Sequence, residues 1–261
     1  MNDQTIASLG DELYTALRER RTVTPLTERH PDIVIDDAYR VSRRLLDRRR
    51  ADGERIIGKK TGVTSKVVQT ALGVHQPDFG YLTDSMAFDD GADVPVSRLL
   101  IQPRAEGEIA FVLEKRLCGP GVTPEDVLAA TAYVKPCFEI VDSRIEKWRI
   151  KICDTIADNA SSGVFVLGRD PVSPKQVDFV TCGMVVWKNG EVLSTGAGAA
   201  ALGSPVICVA WLANALGRFG VPLEPGEVIL SGSLVPLEPV SPGDRMELRI
   251  GGVGSARVQF V

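Results

Sequence analysis

Apolar residues Ile6, Leu9, Leu13 and Leu17 recur at three- and four-residue steps, which is the stripe of an amphipathic helix. The same spacing predicts a second helix over 36–50, with Asp36 or Asp37 as cap and Ala38, Val41 and Leu45 on the inner face. Its arginines Arg48, Arg49 and Arg50 read as a solvated helix end meeting its own dipole. From Arg55 onward the pattern changes to short strands punctuated by glycine and proline. RIIGKKTG reads as strand then turn, TSKVVQTALG as a short helix capped by Thr64 or Ser65, and RAEGEIAFVLEK as a strand with alternating faces. TPEDVLAATA is a helix opened by Thr123 and Pro124, and Asn189-Gly190 between two apolar runs signals a tight hairpin. SPVICVAWLANALGRFG opens on Ser204-Pro205 and stops at Gly217 or Gly220, and the tail reads as strands joined at Pro242-Gly243-Asp244. Helices first and then many strands with irregular helices predict an α+β fold with a large curved or mixed sheet, since regular β-α alternation is missing.

Residues 192–217 carry no formal charge, a run long enough to cross a bilayer. The Gly203-Ser204-Pro205 break divides it into a small-residue loop and a short helix, so it reads as buried core. Neither a signal peptide nor a membrane segment is expected, and the cytoplasm fits best. The 261 residues suit one large unit, and 34 acidic against 30 basic residues give a net charge of −4, so no nucleic-acid partner is expected. Five scattered cysteines with no C-x-x-C pair argue against a disulfide framework or a thiolate metal site. With only His30 and His75 available, any metal here should be held by carboxylates. No G-x-G-x-x-G after a strand, no phosphate loop and no G-x-S-x-G elbow is present, which counts against nucleotide cofactors and serine hydrolysis.

The sharpest chemical feature is Glu106-Gly107-Glu108. On a strand both carboxylates project from one face, an arrangement that repels unless a cation sits between them, while Gly107 lets another element approach the opposite face. Glu139 and Asp142 fall inside a second apolar run, where a charge must face outward or find a partner. Lys60 ends a strand and is a candidate proton carrier if desolvation lowers its pKa. His75-Gln76-Pro77-Asp78 is a polar loop with an imidazole and a carboxylate. Residues 158–162 and Ser231-Gly232-Ser233 can present hydroxyls and amides to an anion.

The strings IGKKTGVTSK, LGVHQPDFGYLTD, IQPRAEGEIAFVL, FEIVDSR, DTIADNASSG, GAGAAALGSPV and LSGSLVPLEPV resemble the hydratase/decarboxylase family of aromatic meta-cleavage pathways, within the fumarylacetoacetase-like superfamily. The resemblance runs over nearly the whole chain. It implies one family domain over 1–261, with a helical segment over 1–53 and a catalytic, fumarylacetoacetase-like mixed and curved β-sheet core over 54–261. By the same resemblance Glu106, Glu108 and Glu139 hold Mg2+ or Mn2+, and Lys60 and Asp78, with His75, carry proton transfer and water positioning. Ser161, Ser231, Gly232 and Ser233 are then the candidates for substrate binding. The implied activity is metal-dependent addition of water to 2-hydroxypenta-2,4-dienoate, giving 4-hydroxy-2-oxopentanoate. The alternatives are a 4-oxalocrotonate-type decarboxylase or a structural partner of one. A homo-oligomer and a complex with a paired decarboxylase are the implied assemblies.

Overall fold

Two β-sheets stacked face to face, with helices on the outer side of the larger one, make up the computed structural model, which describes residues 1–261. The helices are α1 (Asp3–Glu19), α2 (Leu26–Arg29), α3 (Ile35–Ala51), α4 (Lys66–Leu72), α5 (Val96–Leu99), α6 (Pro124–Ala130), α7 (Ile152–Ala157) and α8 (Pro205–Gly217). The strands of the larger sheet are β1 (Ile56–Gly62), β2 (Asp78–Thr83), β3 (Ala87–Asp89), β5 (Arg104–Leu113), β6 (Thr131–Val141), β7 (Ser162–Leu167), β10 (Val228–Leu230) and β11 (Glu238–Pro239). The smaller sheet holds β4 (Asp93–Val94), β8 (Gly183–Lys188), β9 (Glu191–Ala197), β12 (Arg245–Ile250) and β13 (Gly254–Phe260). The larger sheet runs β2-β1-β10-β5-β6-β7-β3, with β11 also paired to β5, and the smaller β4-β13-β12-β8-β9. Pairing is mixed: β1–β10, β3–β7 and β4–β13 are parallel, the other ladders antiparallel. The expected mixed sheet is therefore present, with the second sheet packed against it.

Alternation along β5 sorts the two faces. Ala105, Ile109, Phe111 and Leu113 point to the smaller sheet and join Met184, Val186, Leu248 and Phe260 in a core of 40 buried residues. Gly107 lies on this face, where a Cβ would stand 2.5 Å from Met184 Sδ and 3.3 Å from Leu248 Cδ2, so the missing side chain does allow the close approach. Each fully buried aliphatic or aromatic side chain stabilises by roughly 1.5–3 kcal/mol. A core of this size can offset buried ions that cost several kcal/mol apiece.

The first helices cover the opposite face. Leu9 and Leu13 of α1 and Val41 and Leu45 of α3 pack with Ile145, Ile156 and Ala157, so α7 is clamped between the sheet and the helical layer. Two local expectations change. Val34, not Asp36 or Asp37, precedes α3 without a side-chain cap, because Asp37 is engaged by the N-terminal ammonium at 3.0 Å and by Arg40 at 3.3 Å. The arginine run is not uniformly solvated either: Arg49 is buried, paired with Glu54 at 2.8 Å and donating to Thr83 Oγ1 at 3.0 Å, which ties α3 to β2.

The remaining signals match the structure locally. Ser65 caps α4, Thr123 and Asp126 form the capping box of α6, and Ser204 caps α8 with Pro205 in its first turn. Asn189 and Gly190 both take positive φ, 55° and 89°, at the β8–β9 turn. The uncharged run becomes β9, a loop and the 13-residue α8, about 20 Å long at 1.5 Å per residue. That falls short of the ~30 Å of a bilayer core. Eight of its residues are buried, seven of them in the main core.

Candidate metal centre and active-site cavity

In the β5–β6 ladder Glu106 stands directly opposite Glu139, and Glu108 opposite Cys137. Like charges opposite one another in a ladder repel. Here a third carboxylate shares the face, and one ligand oxygen from each of Glu106, Glu108 and Glu139 lies within 4.8 Å of the others. All three are buried in the centre of the sheet. Burial, reinforced by Glu139, pushes Glu106 up to about 8, and burial with Glu139 and Glu106 drives Glu108 well above the carboxylate range. Glu108 Oε1 and both oxygens of Glu139 have no hydrogen-bond donor. Buried oxygens are rarely left so. An oxygen-only, acidic cluster with three carboxylate oxygens left without a donor is the coordination a hard divalent cation requires, so these residues fit such an ion. Cys137 is not part of the set, since burial and the neighbouring Glu108 charge hold its thiol far above the range where a thiolate would form.

Lys60 of β1 and Asp78 of β2 reach the cluster from neighbouring strands on the same face of the sheet. Lys60 Nζ stands 3.1 Å from Glu139 Oε1, an ion pair without hydrogen-bond alignment. Burial opposes its ammonium, yet Glu139, Asp78, Glu106 and Glu108 together outweigh that and raise the Lys60 pKa. The lowered value expected from desolvation alone is therefore not found among free carboxylates. Asp78 is pushed up to about 6 by burial, against the pull of Lys60. A Cβ on Gly62 would lie 2.3 Å from Asp78 Oδ1 and 3.5 Å from Lys60 Nζ, so both head groups converge where glycine leaves room. Thr155 Oγ1 donates to Asp78 Oδ2 at 3.5 Å. A cavity of about 520 Å3 is lined by Lys60, Asp78, Glu106, Thr155 and Ser161, with apolar walls from Val141, Ile150 and Leu237. The arrangement couples a cation seat to two titratable groups beside a space the size of a small acid.

Not every sequence candidate joins the site. His75 is exposed and off the cavity wall, because α4 ends at Gly73 in the left-handed region (φ 66°) and the chain turns outward before Pro77-Asp78 re-enters the sheet. Ser161 lines the cavity, 3.3 Å from Thr155 Oγ1. Ser233 lines it too, though its hydroxyl donates to Val235 O at 2.5 Å. Gly232 is off the cavity wall: its amide donates to Glu108 Oε2 at 2.8 Å and so orients a carboxylate of the cluster. Ser231 is fully buried behind the wall. The reason is local, since the turn after β10 lies on β5, with Ser231 N bound to Ile109 O and Leu234 N to Gly107 O.

Residues that sequence reasoning missed are Arg104, Trp148 and Thr155 on the wall and Arg144 behind it. Asn159, Ala160 and Ser161 form a turn with successive positive φ of 54°, 50° and 52°, a conformation costing roughly 1–2 kcal/mol per non-glycine residue. Arg144 holds it. The guanidinium donates to Asp158 Oδ1 (2.5 Å), Asp158 O (2.6 Å), Asp142 O (2.6 Å) and Ser162 O (2.9 Å), all in the interior. The signal was present in FEIVDSR and DTIADNASSG as buried charge, but nothing in spacing pairs Arg144 with Asp158. Arg144→Ala leaves Asp158 buried and unpaired and should cost about 3–5 kcal/mol, read as a shift in denaturant midpoint. A loss under about 1 kcal/mol would mean that the clamp is incidental.

The sequence profile described as "Fumarylacetoacetate (FAA) hydrolase C-terminal" matches residues 58–261. The chain belongs to the fumarylacetoacetate hydrolase family. Within it, the chain is 68% identical over 221 residues to a 2-hydroxypent-2,4-dienoate hydratase of Pseudomonas putida, covering 85% of this chain and 100% of that one. It is 58% identical over 258 residues to a 2-hydroxyhexa-2,4-dienoate hydratase of Comamonas testosteroni, covering 98% of each. Among solved structures, a 4-oxalocrotonate decarboxylase from Pseudomonas putida G7, complexed with magnesium and adipate, superposes with a TM-score of 0.96 at 37% identity over 100% of this chain and 99% of that one.

Proposed function

We propose that the protein is a hydro-lyase adding water to 2-hydroxypenta-2,4-dienoate, giving 4-hydroxy-2-oxopentanoate in the meta-cleavage breakdown of aromatic compounds. The hydratase names of relatives as similar as 68% support the substrate class. The observation that carries the mechanism is the buried cluster of Glu106, Glu108 and Glu139, with three carboxylate oxygens lacking a donor, beside the cavity that Lys60, Asp78 and Glu106 line.

The three glutamates would hold a divalent cation, Mg2+ or Mn2+, which when bound withdraws electron density from the C1 carboxylate and C2 oxygen of the substrate. Everything else is proton traffic. The dienol loses the proton on its C2 oxygen and gains one at C5, leaving a C3–C4 double bond conjugated to the new carbonyl. Water then adds its hydroxyl at C4 while a proton goes to C3. Lys60 is the carrier for the C2-oxygen proton. A dication among the glutamates offsets the carboxylate field that holds its ammonium, so burial then eases release of the proton. Asp78, pushed up to about 6 by burial, is close enough to neutral pH to take a proton from water and return it. Thr155 and Ser161 orient Asp78 and the incoming water. The apolar wall of Val141, Ile150 and Leu237 excludes bulk solvent from the diene. The five unpaired thiols suit the reducing cytoplasm.

Purified protein with Mg2+ should consume the dienol absorbance of 2-hydroxypenta-2,4-dienoate and yield one 4-hydroxy-2-oxopentanoate per substrate, with no CO2 from 4-oxalocrotonate in a parallel cell. CO2 release without hydration would overturn the assignment in favour of a decarboxylase.

A further inference from the structure

Alternation puts Arg104 on the same face of β5 as Glu106 and Glu108, about 7 Å along the strand from Glu106. It is the one arginine on the cavity wall. The other wall cation, Lys60, stands against Glu139, whereas the Arg104 guanidinium has neither a carboxylate nor a carbonyl partner in the chain. It is not loose. Its Cζ lies 4.7 Å from the centre of the Trp148 ring, and that ring is fixed by Trp148 Nε1 donating to Gln102 O at 3.0 Å. An aromatic platform flattens a guanidinium while leaving its N–H edge free, the presentation that suits a carboxylate.

Charge and register point the same way. Four buried carboxylates, Asp78, Glu106, Glu108 and Glu139, face Lys60 alone. A bound dication leaves the cavity one negative charge in excess, hostile to an anionic substrate, and Arg104 balances it. A 2-oxo acid that offered one C1 oxygen and its C2 oxygen to a cation held by the glutamates would still need a donor for its second carboxylate oxygen. Along the sheet, Lys60 pairs with Leu230 and Leu230 with Ala110, while Arg104 stands at the other end of the Arg104-Glu106-Glu108-Ala110 row. A carboxylate held at Arg104 therefore directs the rest of the substrate across the glutamates toward Lys60 and Asp78.

We propose that Arg104, stacked on Trp148, anchors the C1 carboxylate of the substrate and sets the direction in which its carbon chain lies. The inference rests on the hydratase reading and deepens it. The test compares binding of 2-oxopentanoate and its uncharged amide, 2-oxopentanamide, to the Mg2+-loaded parent, Arg104→Met and Arg104→Lys by calorimetry. Steady-state constants for 2-hydroxypenta-2,4-dienoate and Mg2+ affinity are measured alongside. Arg104→Met should weaken the acid by about 10- to 100-fold, leave the amide within about twofold, and raise KM by a similar factor. Arg104→Lys should recover part of the affinity for the acid, as a point charge lacking the fork. Should Arg104→Met fail to fold, the acid-to-amide ratio of Arg104→Lys decides alone, a ratio equal to the parent's counting against the anchor. Equal losses for acid and amide, or unchanged binding of the acid, overturn the proposal. So does a loss seen with adipate and not with 2-oxopentanoate, which would make Arg104 a distal-carboxylate site. If the parent binds 2-oxopentanoate through Arg104 but does not hydrate the dienoate, the hydratase reading fails and the anchor stands.

Discussion

Glu106→Gln is expected to lower turnover on the order of a thousandfold, the several kcal/mol that a bound cation supplies to a developing oxyanion. Glutamine keeps the size and one oxygen but removes the charge, so the cluster keeps two carboxylates and loses cation affinity. A chelator should do the same to the parent, with activity restored by Mg2+ or Mn2+. Full activity at verified zero metal content would remove the cation from the mechanism. A pH signature accompanies this result. Glu106, up at about 8 in the metal-free protein through burial and Glu139, must lose its proton to bind a cation. Apparent metal affinity should therefore climb as pH rises toward about 8 and flatten above it, with proton release on binding at pH 7. Stability follows the matching sign. A carboxyl whose folded pKa is raised contributes stability present below its unfolded value, about 4.5, and lost as pH rises through about 8. Thermal scans should thus show a larger gain in Tm on adding Mg2+ at pH 8 than at pH 6.

Lys60→Met should reduce kcat by about a hundred- to ten-thousandfold, the range for losing a positioned proton carrier, while changing metal affinity much less. Lysine and methionine have similar length, so the cavity keeps its shape. The separation of the two readouts carries the weight: a collapse of cation binding together with catalysis would make Lys60 a support for Glu139, to which it stands 3.1 Å away, in place of a proton carrier. Exchange of substrate carbon-bound protons in D2O offers a second view, since it should slow with kcat if Lys60 moves the C2-oxygen proton.

Much of the site was legible because its elements are local. Glu106-Gly107-Glu108 is a two-residue repeat on one strand, and alternation alone puts both carboxylates on one face and the glycine on the other. Caps at Ser65, Thr123 and Ser204 act within three residues, and Asn189-Gly190 encodes its own turn. His75 stands off the cavity for the opposite reason. Its neighbour Asp78 is in the cavity, but three residues of loop suffice to turn one side chain out and the other in. The Gly232 amide, free to bind a ligand as far as neighbouring residues tell, is claimed by Glu108 once β10 lies beside β5.

Side-chain periodicity and strings of neighbouring residues account for α1, α3, α4, α6 and α8, for β1, β5 and the β8–β9 hairpin, and for the carboxylate pair and the family resemblance, whereas short elements such as α2, α5, β3 and β4 carry no such signal. That Glu139 faces Glu106, that Arg144 is bound to Asp158 behind the turn carrying Ser161, and that Arg104 lies on Trp148 emerges with the folded chain alone. Those facts depend on strand register and on which chain segments share a cavity. Register is fixed by burial of whole sheet faces, an energy summed over dozens of distant residues, and no short stretch of the chain contains it.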